Sequence, residues 1–122
     1  MNRYAGLKQG ASTRYQVQFV DEDGTAISEG AILTIVMTLY NEADGAIINS
    51  RNAIDVKDAN IGTLAPDGTL TLDFTPDDMP IIDTDCEVEY HIVLLKFTYS
   101  DGTTKTGIVE AALGVQQITN LA

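Results

Sequence analysis

Apolar and polar positions alternate with a period of two through much of this chain. Tyr15, Val17 and Phe19 alternate with Arg14, Gln16 and Gln18. Successive side chains of a strand point to opposite faces, so this rhythm predicts a half-buried strand. In "AILTIVMTLY", Leu33, Ile35, Met37 and Leu39 fall on one face, with Thr34, Thr38 and Tyr40 on the other. Its β-branched residues favour a strand over a helix. Leu70, Leu72 and Phe74 alternate in "GTLTLDF", and "KTGIVEAALGVQQI" reads as a last strand running into the C-terminal tail.

One segment breaks the simple rule. In "EVEYHIVLLKFTYSDGTT", Val88, Tyr90, Ile92 and Leu94 line one face, while Val93, Leu95, Phe97 and Tyr99 line the other. A strand between a core and water needs only one apolar face. Placing Glu87, Glu89 and His91 outward leaves two explanations for the later residues. A β-bulge near Leu94 and Leu95 would return Leu95, Phe97 and Tyr99 to the core. Without a bulge they face outward and mark a partner surface.

Four Asp-Gly pairs, Asp23-Gly24, Asp44-Gly45, Asp67-Gly68 and Asp101-Gly102, lie between the strand candidates. Glycine accepts positive φ and aspartate tolerates it, as tight turns require. Between them, "NSRNAIDVKDANIG" reads as a long polar connection with a helical turn around Ala53 to Asp58. "TPDDMPIIDTD" reads as a loop crossing between sheets. About seven strands without an amphipathic helix of normal length predict an all-β fold, an antiparallel Greek-key β-sandwich. The 122 residues suit one domain. Residues 1–13 are expected to form a flexible N-terminal arm, 14–115 the sandwich and 116–122 a C-terminal tail.

Charge sharpens this picture. The net charge is −11, yet the first twenty residues hold Arg3, Lys8 and Arg14 and no acid. Such a balance disfavours a nucleic-acid surface, which needs clustered cations. Two readings stand: a basic arm that docks onto an acidic neighbouring copy, or a frayed N-terminus whose charges are incidental. No apolar run is long enough for a membrane span, and the first residues lack the apolar centre of a secretory signal. The single cysteine, Cys86, cannot close an intrachain disulfide, and Asp85 and Glu87 disfavour its thiolate.

Little of the chain resembles a catalytic constellation. His91 is the only histidine, and no nucleophile elbow, H-E-x-x-H pair or Gly-rich phosphate loop occurs. "DEDG" at Asp21 to Gly24 begins like a calcium loop, but Ala26 stands where the EF-hand turn needs glycine. Asp83 and Asp85, with Asp77 and Asp78, are weighed as a cation cluster against a solvated acidic rim, and the rim is preferred. No catalytic residue, cofactor or metal is assigned.

"LYNEADGAIINSRNAIDVKDANIG", "DGTLTLDFTPDDMPIID" and "EVEYHIVLLKFTYSDGTTKTGIVEAAL" together resemble a family of short Ig-like virion proteins of tailed bacteriophages. "FVDEDGTAI" and "YSDGTT" are also similar to parts of the Ig-like N-terminal domain of phage baseplate and receptor-binding proteins. The likeness spans about residues 14–115. Unlike antibody domains, the chain has no cysteine pair and no tryptophan. The resemblance implies an Ig-like fold and a structural or accessory role in the virion, through capsid decoration or neck, tail or fibre attachment. The expected partners are other virion proteins and copies of the chain itself, not nucleic acid or membrane. The expected place is the virion, after synthesis in the host bacterial cytoplasm. Val93, Leu95, Phe97 and Tyr99, with Arg3, Lys8 and Arg14, are the candidate contacts. The alternative is a host-surface recognition module that binds glycan or protein through the Asn49 to Ile61 connection.

Overall fold

The computed structural model describes residues 2–81 and 88–116, and at positions 2, 3, 5 and 6 the backbone alone. Eight strands run in chain order: β1 (Asn2–Lys8), β2 (Thr13–Gln18), β3 (Ile32–Asn41), β4 (Ile54–Asp55), β5 (Gly62–Leu64), β6 (Thr69–Phe74), β7 (Val88–Ser100) and β8 (Thr104–Gln116). They form a five-stranded sheet in the order β1-β8-β7-β3-β4 and a three-stranded sheet in the order β2-β6-β5. One buried cluster draws Tyr15, Leu70, Leu72 and Phe74 from the small sheet and Ile35, Met37, Leu39, Val93, Leu95 and Phe97 from the large one. The chain is therefore an all-β sandwich whose core lies between two sheets. Among the described residues no helix is long and apolar enough to cross a membrane.

The predicted turns form through the expected chemistry. The glycine of each Asp-Gly pair takes a positive φ, between 73° and 86°. Asp44 Oδ1 accepts the Ala46 N–H and Asp67 Oδ1 the Thr69 N–H, so each aspartate closes its own turn. At the first turn Asp21 takes that part, accepting the N–H groups of Asp23 and Thr25. The last turn sets Ser100 opposite Thr104 and starts an unbroken antiparallel register down to Val88 opposite Gln116.

Continuity of that register answers the question of the doubly apolar segment. β7 has no irregularity against β8, and its register shift against β3 lies on the far side, between Ile32 and Thr34. The bulge is thus in β3: Leu33 is the extra residue and is 45 % exposed, while Ile32 is buried. This corrects both its expected place near Leu94 and Leu95 and the inward position of Leu33. Val93, Leu95, Phe97 and Tyr99 face the core. Glu89 and His91 lie on the same face and are buried with them, contrary to the outward placement read from their polarity.

Gly107, the cross-strand partner of Phe97, explains how the ring fits. A Cβ there would stand 2.2 Å from Phe97 Cζ, so the benzyl group uses the space a side chain would fill. The ring then reaches Phe19 from the opposite side of the core, with centroids 4.3 Å apart, and Tyr99 at 5.8 Å.

Two further expectations need correction. Residues 2–8 do not stand off as an arm: β1 pairs in parallel with Ala111–Gln116 of β8. Tyr4 meets Tyr15 edge to face at 5.6 Å, and burial, with Tyr4 beside it, pushes the Tyr15 hydroxyl up to about 12. Around Ala53 to Asp58 there is no helical turn; Ile54–Asp55 is β4, paired with Met37 and Val36.

Candidate interaction surface

The face of β7 turned away from the core carries the other apolar set: Val88, Tyr90, Ile92 and Leu94. Strand register extends this set sideways. Ile92 lies opposite Tyr40 on β3 and Ala112 on β8, and Tyr40 forms an isolated bridge with Ile47. A row Ile47, Tyr40, Ile92, Ala112 therefore crosses the outer surface of the large sheet. Tyr90 and Leu94 flank the row on β7, each half-buried, and Ile92 between them is 1 % exposed although it points outward. Val88 and Ile47 stay 42 % exposed, and Ile108 62 %. An outer sheet face is ordinarily polar, so this apolar stripe is the second face the sequence displayed.

Charge on this surface is sparse. Lys96 lies opposite Val36 and Ile108, and Glu110 opposite Leu94. The Tyr40 hydroxyl is pushed above its ordinary pKa, first by burial and then by the negative charges of Glu110 and Glu42. It stays a neutral donor at the edge of the stripe, the usual disposition of tyrosine at protein contacts.

The sequence-derived candidates lie elsewhere. Val93 and Leu95 are fully buried, and Phe97 and Tyr99 are 3 % and 5 % exposed, so none offers a surface to a partner. Lys8 ends β1 and its Nζ donates to Gln116 Oε1. Arg14 stands on β2 and its Nε donates to Asp73 Oδ1, its cross-strand partner, at 2.8 Å. Arg3 pairs through its backbone with Ala112; its side chain lies outside the described residues. The three cations are thus spread over two strands of different sheets. Alternation within the inner set misled the reading because both parities of β7 are apolar. The three-residue Asp101-Gly102-Thr103 turn held the missing signal, since it fixes Phe97 against Gly107 and puts a large residue over a small one.

His91 belongs to a buried polar cluster at the β7 start. Its Nε2 lies 2.7 Å from Glu89 Oε2, and Asn41, opposite it on β3, donates from Nδ2 to Glu89 Oε1 at 3.4 Å. Among the described residues His91 Nδ1 and Asn41 Oδ1 have no partner. The imidazole is fully buried, so a substrate cannot reach it in this conformation.

Asp78 is not available to a cation either. It is fully buried, accepting at Oδ1 from Asn49 Nδ2 and Arg51 Nε and at Oδ2 from Arg51 Nη2 and from Thr75 Oγ1 and N–H. Burial pushes its pKa up, but the donors from Arg51, Asn49 and Thr75 outweigh this and hold it below the ordinary value. Among the described residues no group of three potential ligands converges; Asp83, Asp85 and Cys86 lie outside them.

This carboxylate pins the Asn49 to Ile61 connection to the body. Asn49, Ser50, Ala53, Asp58 and Asn60 all take positive φ. Asp58 Oδ1 accepts the Leu64 N–H and Asn60 Nδ2 donates to the Asp55 carbonyl. Val56 is buried while Asn49, Ser50, Asn52, Ala53, Asp55, Asp58 and Asn60 are exposed, so the connection is anchored to the sandwich and presents polar side chains outward. No protein-family model, curated protein or solved structure matches the chain.

Proposed function

We propose that this protein is a virion accessory protein of tailed bacteriophages that acts by protein–protein assembly and has an Ig-like Greek-key fold. The observation that carries the assembly reading is the apolar stripe of Ile47, Tyr40, Ile92, Tyr90 and Leu94 across a sheet face that would otherwise be polar. The phage setting rests on the sequence resemblance across about residues 14–115. The strand order, with β1 joining the far side of the large sheet in parallel, supports the Ig-like reading.

On this reading the stripe seats against a capsid, neck or tail protein, and desolvation of the half-buried tyrosines and leucine drives binding. Burial contributes about 25 cal/mol per Å² of apolar surface, before association costs are subtracted. The partners are other virion proteins and copies of the chain itself, met after synthesis in the bacterial cytoplasm.

The test uses phage particles lacking the protein. Purified wild-type chain is expected to co-sediment with them, and a Tyr90→Ser, Leu94→Glu double variant of unchanged circular dichroism to stay in the supernatant. Equal co-sedimentation of the folded variant would refute the face, and failure of the wild type to bind would refute the assembly role.

A further inference from the structure

The two halves of β8 are treated differently by the rest of the fold. Ala111–Gln116 pairs with β7 on one side and β1 on the other. Thr104 to Glu110 pairs with β7 only, and no other described strand reaches its second edge. Backbone direction along that edge follows from one hydrogen bond. The Gln116 carbonyl accepts from the Gln9 N–H, on the side away from β7. N–H and C=O groups alternate in direction along an antiparallel strand, and the β7–β8 register is unbroken. Thr106, Ile108 and Glu110 therefore aim both backbone groups at the open edge.

Beside this edge, the gap between the sheets is also open. A groove of about 520 Å³ runs between the β8 half and the Gln18 to Glu22 segment, with Phe97 and Tyr99 among its lining. Further along, β1 closes the corresponding gap, setting Tyr4 on Tyr15 and packing Leu7 against the core. Asp21 and Glu22 line the groove, and its Lys105 is already engaged by Glu22 and Asp101. The rim is thus net acidic.

We propose that the open half of β8 accepts an extended strand from another polypeptide, which extends the large sheet as β1 does beside it. The incoming strand carries apolar side chains toward the groove and, at the alternate positions that face outward beside Glu110, basic ones suited to the acidic surroundings. Pairing with Thr106, Ile108 and Glu110 supplies backbone hydrogen bonds, and alternate side chains supply selectivity. This edge borders the outer face that carries the apolar stripe but is a backbone site of its own, and its occupation does not depend on the phage setting.

The probe is a blocked peptide of alternating valine and lysine, added to the intact labelled protein and followed by amide exchange. Exchange at Thr106, Ile108 and Glu110 should slow by about tenfold or more, while Lys105, Gly107 and Val109, already bonded to β7, stay unchanged. A peptide of the same composition with its valines grouped, and one with glutamate for lysine, should protect much less. Ile108→Pro removes one open-edge donor without touching the β7 ladder and should abolish protection, whereas Ile108→Thr should retain it. Protection without the alternation, equal protection by the grouped peptide, or full protection in a folded Ile108→Pro variant would each overturn the proposal. Protection of the same amides by rising protein concentration alone would assign the edge to a second copy, and would overturn it too.

Discussion

The inner face of β7 is built in two ways. From Val93 to Tyr99 it is apolar, and the Phe97 ring stacks near Phe19 and Tyr99 over the bare backbone of Gly107. At Glu89 and His91 the same face is polar, equally buried, and joined to Asn41. The apolar half stabilises the fold through area removed from water, and its tolerance is limited by shape. The polar half gains little net energy from burial, because desolvation offsets the attraction between its groups, but losing one partner leaves the other stranded. Burial alone therefore does not tell what a residue contributes.

The largest effect is expected where the apolar half loses most surface. Phe97→Ala should cost about 3–5 kcal/mol, measured by chemical denaturation. A loss under about 1 kcal/mol would mean that the aromatic cluster is not the centre of the core.

The polar half should break asymmetrically. Glu89→Leu alone strands His91 and should cost about 3 kcal/mol, while the Glu89→Leu, His91→Leu double variant should recover most of it. Additive losses in this double-mutant cycle would show that the two side chains act independently.

A smaller effect tests the fit between Phe97 and Gly107. Gly107→Ala places a methyl group inside the ring and should cost about 1–3 kcal/mol. In a Phe97→Ala background the same change should cost close to nothing, because its obstacle has gone; an unchanged penalty would point to backbone strain.

The smallest effect is a slope. Asp78, unlike the Asn41 cluster, has every oxygen engaged, and its folded pKa lies below the ordinary 3.8. A lowered folded pKa means that its contribution is complete above the unfolded value and is lost as the pH falls through the folded one. Stability of the wild type should thus decline below about pH 4, and Asp78→Asn, less stable at neutral pH, should show a shallower acid limb in urea melts. Parallel acid limbs would assign the decline to other carboxylates.

The strands and turns were legible because their causes are local. Period-two alternation places Tyr15, Leu70, Leu72 and Phe74 correctly in the core, and each Asp-Gly pair marks a turn with its glycine at positive φ. β1 was not legible, since "NRYAGLK" has no alternation and its partner lies more than a hundred residues away. The apolar stripe was visible as residues but assigned to the wrong side.

By itself, the sequence determined an all-β chain, the positions of its turns, and the presence of two apolar faces on the segment from Val88 to Tyr99. Only the tertiary structure decided which face is core, that Glu89 and His91 are buried with it, and that β1 covers half of β8 while no other described strand covers the rest. Strand chemistry is set by neighbours along the chain, so residues report it. The choice between faces depends on what the opposite sheet presents, here Phe19 across the core and the missing side chain of Gly107, and distant parts of the chain supply both.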